Sequence, residues 1–186
     1  IWDGKYLYDL YCEAFTPWDW TKDIFSESEK LGIDCFSSPF DHSAVDFLEK
    51  FNPPAYKIAS FEITDIPLIK KVALLGKLII ISTGIANYED IKLAVEACRS
   101  VGNNKIILLK CTSAYPAKIE DANLTMLNKI AKDFNVQVGL SDHSLGHTVA
   151  VVSSVLGAKV IEKHIILNKN IGGPDASFSL DESEFK

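Results

Sequence analysis

Six short, β-rich apolar runs alternate with longer amphipathic stretches, and this alternation limits the fold more than any other feature. Each run is apolar nearly throughout, as expected for strands of a parallel sheet that is buried on both faces. The runs are 34–38, 55–60, 78–83, 106–112, 136–141 and 160–164, and the helical stretches between them include 44–50, 66–75, 88–101, 122–134 and 148–156. The sequence therefore predicts repeated βα units with right-handed crossovers.

Polar side chains stand at the carboxyl end of every run. They are Ser37 and Ser38, Ser60 and Glu62, Ser82 and Thr83, Thr112 and Ser113, residues 141–143 and residues 162–164. In a barrel these ends converge on one mouth, where such enzymes keep their chemistry, whereas an open sheet would spread them apart. Neither a G-x-G-x-x-G nor a G-x-x-x-x-G-K-[ST] motif is present, which weakens the nucleotide-binding open sheets. The pattern favours an α/β fold of the (β/α)8 TIM-barrel class.

A closed barrel of this class needs eight strands, and the sequence predicts six. We therefore expect residues 1–186 to form a partial TIM-barrel catalytic domain with about six of eight βα units. The first two units are expected upstream, and the last helix is expected to be cut short.

Composition and charge narrow the choice of partners. The net charge is −6 and there is no basic block, so nucleic-acid binding is disfavoured. The apolar runs are too short to span a bilayer, and no membrane partner is expected. No C-x-x-C pair occurs among the four cysteines, which favours a reduced, cytoplasmic protein over a disulfide-bonded one; they are Cys12, Cys35, Cys98 and Cys111.

The segments Ser141-Asp142-His143 and Glu162-Lys163-His164 end two consecutive predicted strands. Adjacent strands would place His143 and His164 side by side, where two imidazoles and oxygen ligands suit Mn²⁺, Zn²⁺ or Mg²⁺. Glu162 and Asp142 could orient the imidazoles or hold metal-bound water. The alternative is that both histidines are hydrogen-bonded residues at strand ends.

Lys57 lies inside an otherwise apolar run, and a buried ammonium group is costly unless it meets an anion. With small hydroxyls from several strand ends it predicts a pocket for phosphate or carboxylate oxygens. Those hydroxyls belong to Ser60, Ser82, Ser113 and Ser141, each of which could instead simply end its strand. Lys110 is a second strand lysine, but the two-residue period puts it on the side of Thr112, where a partner on the outer face is possible.

Two loop residues are weaker candidates. Tyr115, before Pro116, could form a wall that contacts a sugar or could belong to a simple turn. Asp175 follows two glycines and a proline after the last strand. Its carboxylate could accept hydrogen bonds from a polyol or could be solvated in a loop.

Seven segments, in the right order along the chain, resemble the sialic acid synthase family. They are FSSPFD, YKIASFEITDIPLI, ISTGI, LLKCTSAYP, VGLSDHS, VIEKH and GGPDASFSL. Within the family, ASFEITDIPLI, LKCTSAYP and EAFTPWDW are most similar to the members that make pseudaminic acid. Ala59 and Phe61 depart from the GSGE pattern usual in members that make N-acetylneuraminate or legionaminate.

The resemblance implies a metal-dependent condensation of phosphoenolpyruvate with an open-chain amino sugar, ending in C–O cleavage and release of phosphate. It implies that His143 and His164 bind a divalent ion, Mn²⁺ or Mg²⁺, and that Glu162 belongs to the catalytic group. The other implied contacts are Lys57, Ser60, Ser82, Ser113 and Ser141 to phosphoenolpyruvate, Ser38 near its carboxylate, and Glu62, Tyr115 and Asp175 to the sugar.

Members of this family also carry a lysine and a glutamate on the first strands and a C-terminal antifreeze-like domain, which lends an arginine to the partner subunit. These parts are not in the sequence of 186 residues. The resemblance therefore implies a homodimeric full-length enzyme and an inactive isolated chain.

Three alternatives remain at this stage. The first is a sister synthase that makes N-acetylneuraminate or legionaminate, since hydrogen bonds to hydroxyl and acetamido groups decide between the sugars. The second is a non-catalytic barrel that binds a sugar or a phosphate, against which the intact Lys57, His143 and His164 argue. A synthase of the 3-deoxy-arabino-heptulosonate type is third, because it shares the chemistry but not these motifs.

Overall fold

Five parallel β-strands form one sheet in chain order, β1-β2-β3-β4-β5. The computed structural model describes residue 4 and residues 6–186. The strands are β1 Ala55–Ile58, β2 Leu78–Ser82, β3 Ile106–Cys111, β4 Gln137–Asp142 and β5 Ile161–Lys163. Each neighbouring pair is parallel, so all five carboxyl ends lie at the same edge. This confirms the predicted parallel arrangement of βα units.

Helices connect the strands and also precede them. They are α1 Leu7–Ala14, α2 Trp18–Leu31, α3 His42–Leu48, α4 Ile66–Leu74, α5 Tyr88–Ser100, α6 Met126–Phe134, α7 Thr148–Val155 and α8 Glu182–Phe185. Short 3-10 turns occupy Glu49–Phe51, Ser60–Thr64, Ile119–Asp121 and Lys169–Ile171. Over the part of the chain that the structure describes, no helix has the length and apolar character needed to cross a membrane.

Local sequence explains where the crossover helices begin and which side they bury. The Asp65 carboxylate caps α4 by accepting from the Leu68 N–H, and Asn87 and Asp90 form a capping box at the start of α5. The buried residues of α5 include Ile91, Ala94, Val95 and Cys98, at the spacing of one helical face. That face joins the main hydrophobic core, which lies between the helices and one side of the sheet.

The two-residue period of the strands divides their side chains between two faces. The outer face packs on the helices, with Tyr56, Ile58, Ile79, Ile81, Ile106 and Leu108 in the main core. The inner face has a small second cluster made of Ile80, Ile107 and Leu109. Lys57, Ser82, Cys111 and Ser141 fall in the same alternation as this second cluster. The inner face is therefore apolar near its amino edge and polar near its carboxyl edge.

The sheet is curled into a half-barrel. Lys57 on β1 and Glu162 on β5 come from the two outermost strands, yet Nζ and Oε2 are 3.4 Å apart. In a flat sheet, four strand spacings would separate these strands by about 19 Å, which is more than the two side chains can bridge. The contact therefore requires a curved sheet with Lys57 and Glu162 on its concave side.

The sequence predicts a sixth strand at residues 34–38, but the structure forms none there. A single backbone hydrogen bond, from the Lys57 N–H to the Ser37 carbonyl, joins this segment to β1. One bond does not make a ladder, so the described residues contain five strands. The predicted domain of residues 1–186 includes residues 1–3 and 5, which lie outside the described residues.

The Gly139→Ala substitution is expected to destabilise the full-length protein by about 1–3 kcal/mol, the usual cost of overpacking a tight site. An added Cβ would lie 2.3 Å from the Val160 carbonyl oxygen and 2.6 Å from Leu109 Cδ2. Thermal unfolding measures the effect. Gln137→Ala, at an exposed position of the same strand, is the control and should change stability little. Equal melting temperatures for the two variants would contradict the close packing of β4 on β5.

Candidate active site at the strand ends

A charged and hydroxyl-bearing group spans the concave face from β1 to β5. The Lys57 side chain is only 10% exposed, and its ammonium lies 3.4 Å from Glu162 Oε2. Ser141 donates to Glu162 Oε1 at 2.6 Å, so this carboxylate receives a hydroxyl and faces an ammonium. The structure thus brings together three predicted residues from β1, β4 and β5. A buried ammonium held this way suits the recognition of an anion.

Serine hydroxyls and one thiol surround Gly84 beside this group. The Gly84 N–H donates to Ser60 Oγ at 3.2 Å, and Ser60 Oγ donates to Cys111 Sγ at 3.6 Å. Ser113 Oγ lies 4.0 Å from the same sulfur. A Cβ at Gly84 would fall 2.1 Å from Ser113 Oγ and 2.8 Å from Ser60 Oγ, so only glycine fits.

The Ser82 hydroxyl is buried at the end of β2 and has no hydrogen-bond partner among the residues that the structure describes. Buried polar atoms are nearly always paired, and an unpaired hydroxyl costs about 1–3 kcal/mol. The hydroxyl belongs to the inner-face alternation, next to Lys57 in the strand order. An anion bound at this edge could accept its hydrogen bond.

His143 and His164 follow β4 and β5, and their ring centroids are 5.3 Å apart. His143 Nδ1 lies 3.0 Å from the Thr112 carbonyl oxygen and 3.9 Å from Cys111 Sγ. Burial works to lower the pKa of His143, but the hydrogen bonds with Cys111 and with the carbonyl outweigh it and raise that pKa. Burial lowers the pKa of His164, against an opposing effect of Asp175.

The ring nitrogens of the two histidines are arranged as expected for two ligands of a divalent ion. Each Nδ1 has an oxygen neighbour, the Thr112 carbonyl for His143 and Asp175 Oδ2 at 3.4 Å for His164. Such second contacts fix the ring and leave Nε2 as the donor to a metal. Within residue 4 and residues 6–186, no group of three or more His, Cys, Asp or Glu side chains is placed to hold an ion. The pair could thus supply only part of a coordination shell.

Aromatic rings form a wall against the histidine pair. The ring centroids of Tyr115 and His143 are 4.2 Å apart, and Tyr115 is 39% exposed. The buried Phe178 ring is 5.1 Å from His164 and 5.7 Å from Tyr115. Burial raises the pKa of the Tyr115 phenol. Asp175 contacts His164 beside this wall, so the two loop candidates lie at the histidine end of the site.

Glu62 and Ser38 complete the predicted set. Burial raises the pKa of Glu62, while the charge of Lys57 pulls that pKa back down. Its buried Oε2 has no hydrogen-bond partner within residue 4 and residues 6–186. Ser38 is half-buried, and the neighbouring Ser37 carbonyl accepts from the Lys57 N–H. Ser38 is therefore next to the site in sequence, but no hydrogen bond of its own side chain joins it to the cluster.

Three other charged residues of the same strands belong to the outer face. The Lys110 ammonium donates to Thr112 Oγ1 at 2.6 Å and to the Asp121 carbonyl at 3.2 Å, as its alternation predicts. Asp142 pairs with Lys163 at 2.8 Å rather than with a histidine. The expectation that Asp142 orients an imidazole therefore differs from the structure, because Asp142 precedes His143 and so faces the opposite side of the strand.

Sequence reasoning missed Cys111 and Phe178 as parts of the site. Cys111 lies two residues before Ser113 and two after Leu109, so strand alternation alone puts its thiol on the inner face. Burial raises the pKa of this thiol, but hydrogen bonds with His143 and Ser60 outweigh burial and lower it. Phe178 gave no comparable signal, because its position depends on how the loop after β5 returns to the sheet.

The fold and site define a class of protein: a parallel α/β half-barrel whose strand ends gather lysine, serine and histidine side chains at one edge. The sequence profile of the NeuB family matches residues 1–186, and the chain belongs to this family.

Named relatives agree with that assignment. The chain is 49% identical over 186 residues to the pseudaminic acid synthase of Helicobacter pylori, covering all of this chain and 55% of the relative. It is 48% identical to the pseudaminic acid synthase of Campylobacter jejuni, again over 100% of this chain, and covers 54% of that protein. The chain thus spans about half the length of these curated relatives.

A solved structure shares the fold. The N-acetylneuraminic acid synthetase of Leptospira borgpetersenii superposes with a TM-score of 0.90 and 30% sequence identity, over 95% of this chain and 61% of that chain. The half-barrel therefore corresponds to part of that larger structure.

The Glu62→Gln substitution is expected to stabilise the full-length protein at neutral pH by roughly 1 kcal/mol, because a buried charged atom without a partner is replaced by a neutral amide. The folded pKa of Glu62 is raised, so the folded state binds the proton more tightly than the unfolded state does. Stability from this group is present at low pH and is lost as pH rises through the raised pKa.

Melting temperatures between pH 4 and pH 8 would measure this effect. The variant should lose less stability than the unsubstituted protein as pH rises. Glu96→Gln makes the same chemical change at an exposed position of α5 and is the control. A Glu62→Gln protein that melts lower than the unsubstituted protein at pH 8 would show that the carboxylate has a stabilising partner.

Proposed function

We propose that the full-length protein is a pseudaminic acid synthase. It would condense phosphoenolpyruvate with a 2,4-diacetamido-2,4,6-trideoxy-altrose, with water consumed, to give pseudaminic acid and phosphate. Membership of the NeuB family and 49% identity to a relative named pseudaminic acid synthase support this choice. The structural observation that supports the proposal is that the Lys57–Glu162–Ser141 group and the His143–His164 pair lie together at the carboxyl ends of the same strands.

The anion end of the site would hold phosphoenolpyruvate. The Lys57 ammonium supplies a buried positive charge, and the Ser82 hydroxyl has a free hydrogen bond to give. Ser60, Ser113 and Ser141 surround the same region with further hydroxyls. Charge-assisted hydrogen bonds of this kind are the stronger ones for phosphate oxygens. Ser38, beside β1, would contact the carboxylate of the same substrate.

The histidine end would hold the divalent ion, with Mn²⁺ or Mg²⁺ as the candidates. His143 and His164 would donate through Nε2, because each Nδ1 already has an oxygen neighbour. When bound, such an ion supplies Lewis-acid polarisation of the sugar aldehyde. The remaining ligands would be water, substrate oxygens or residues outside the described part of the chain.

The sugar would lie between the histidine pair and the exposed loops. Tyr115 offers a ring face for it, and Asp175 and Glu62 offer carboxylate oxygens for its hydroxyl and acetamido groups. Carbon C3 of phosphoenolpyruvate would attack the open-chain aldehyde carbon, and water would add at C2. Glu162, whose carboxylate accepts from Ser141 and faces Lys57, would take a proton from that water. Breaking the C2–O bond would then release phosphate.

The described residues supply less positive charge than this substrate requires. Phosphoenolpyruvate has about three negative charges near neutral pH, from a carboxylate and a nearly dianionic phosphate. Lys57 is paired with Glu162, and Lys163 is paired with Asp142 on the other face. We propose that the full-length enzyme completes an eight-stranded barrel in a cytoplasmic homodimer, and that groups outside this chain contribute the missing charge.

The Lys57→Met substitution in the full-length enzyme is expected to lower kcat/KM for phosphoenolpyruvate by about 10- to 100-fold, the loss of roughly 1.5–3 kcal/mol of charge-assisted binding. Lys110→Met is the matched control, because Lys110 is also a strand lysine but is half-buried and belongs to the outer face. The control should stay within about threefold of the unsubstituted enzyme. Equal losses in both folded variants would contradict an anion site at Lys57.

The choice of sugar is tested by assaying the full-length enzyme with each candidate. Release of phosphate should be fastest with the 2,4-diacetamido-2,4,6-trideoxy-altrose. A preference for N-acetylmannosamine, or for the sugar precursor of legionaminate, would replace the proposed activity by that of a sister synthase. No phosphate release with any sugar, from a folded metal-loaded protein, would favour a non-catalytic binding barrel. The isolated 186-residue chain is expected to be inactive with all of them.

A further inference from the structure

One ion pair lies directly behind the two histidines. Asp142 precedes His143 at the end of β4, and Lys163 precedes His164 at the end of β5. The two charged residues are register partners across the strands. Strand alternation therefore turns the histidines to the inner face and the ion pair to the outer face.

The pair is the most buried ion pair among the described residues. The Lys163 and Asp142 side chains are 5% and 3% exposed, and Nζ lies 2.8 Å from Oδ2. The other carboxylate oxygen, Oδ1, accepts from the Ser144 N–H at 2.9 Å and from the Ser144 hydroxyl at 2.7 Å. Lys163 also donates to the Ser144 carbonyl. Asp142 and Lys163 thus hold the backbone N–H and carbonyl of Ser144, immediately after His143.

Backbone pairing alone gives these strand ends little support. Only three register pairs join β4 to β5, and the last one is Asp142 with Lys163. Beyond it each strand continues into its own loop contact, the Ala117 N–H to the His143 carbonyl and the Leu180 N–H to the His164 carbonyl, both at 2.9 Å. Those bonds tie each histidine to a different segment. Two side-chain contacts tie the strand ends to each other, the Ser141–Glu162 hydrogen bond on the inner face and the Asp142–Lys163 ion pair, one residue further along, on the outer face.

We propose that the Asp142–Lys163 pair is a positioning element that sets the separation of His143 and His164, and so the affinity of that pair for a divalent ion. This inference rests on the metal site proposed above. Breaking a buried pair by removing one charge leaves the other uncompensated, so the strand ends would shift to hydrate it. Groups hydrogen-bonded to a metal ligand alter metal affinity by about 10- to 100-fold when they are removed. The Asp142–Lys163 pair acts one step further back, through the backbone of the two histidines, so we expect an effect at the lower end of that range.

The test is the dissociation constant for Mn²⁺ of the full-length protein, measured by electron paramagnetic resonance of the free ion, beside the melting temperature of the metal-free form. Lys163→Met should weaken Mn²⁺ binding by at least about tenfold. Lys163→Arg keeps the charge and the donors and should stay within about threefold of the unsubstituted protein. If Lys163→Met does not fold, the double variant Asp142→Asn/Lys163→Met takes its place in the test, because it neutralises both partners and leaves no uncompensated charge.

Lys77→Met is the matched control for a purely structural role. Lys77 forms a partly buried ion pair with Glu49 at 2.7 Å, on a different part of the fold. The Lys77→Met substitution should lower the melting temperature without changing the Mn²⁺ dissociation constant. Unchanged Mn²⁺ binding in a folded Lys163→Met or double variant would overturn the positioning role, as would an equal loss in Lys77→Met.

The same experiment also tests the proposed metal site by itself. The unsubstituted protein should bind Mn²⁺, and His143→Ala should abolish that binding. If the unsubstituted protein binds no Mn²⁺, or if His143→Ala binds it equally well, the metal site and the positioning role fail together. Binding that depends on His143 but not on Lys163 overturns the positioning role alone.

Discussion

The contact between Lys57 and Glu162 is the constraint on which the rest of the site depends. A buried ammonium needs a partner, and here the partner comes from the strand at the opposite edge of the sheet. Only a curled sheet brings the two edges together. The same curvature gathers the ends of the strands between them, so the hydroxyls of Ser82 and Ser141 share one concave region with the ammonium. The curvature of the sheet therefore determines both the fold of this chain and the arrangement of its candidate site.

The sequence predicted five strands within one or two residues at each end, because strands buried on both faces produce short, nearly continuous apolar runs. The segment at residues 34–38 has a similar pattern and forms no strand. A strand exists only with a neighbour, and this segment makes one backbone bond to β1 through Ser37. An apolar pattern predicts that a segment is buried, but strand pairing depends on which segment lies next to it in the fold, and the pattern does not contain that information.

The site was predictable to the extent that strand alternation determines it. Lys57, Ser141 and Glu162 all fall in the inner-face alternation of their strands, and the structure brings them into contact. Cys111 obeys the same rule, but a thiol in an apolar run is usually a packing residue, so the sequence pattern does not single it out. The Asp142–Lys163 pair could not be predicted in this way, since it depends on the register between β4 and β5, and sequence spacing does not fix register between parallel strands joined by a helix.

The charges of the half-barrel explain why its two ends must act together. Near the anion end, Lys57 is offset by Glu162, and Glu62 adds a carboxyl group whose pKa burial raises. A trianionic substrate would enter a region without net positive charge, unless a cation is supplied close by. The His143–His164 pair lies beside the same strand ends and offers two imidazole donors for such a cation. Binding of an ion there would favour binding of the anion, and each would strengthen the other, because the coupling between two binding sites is reciprocal.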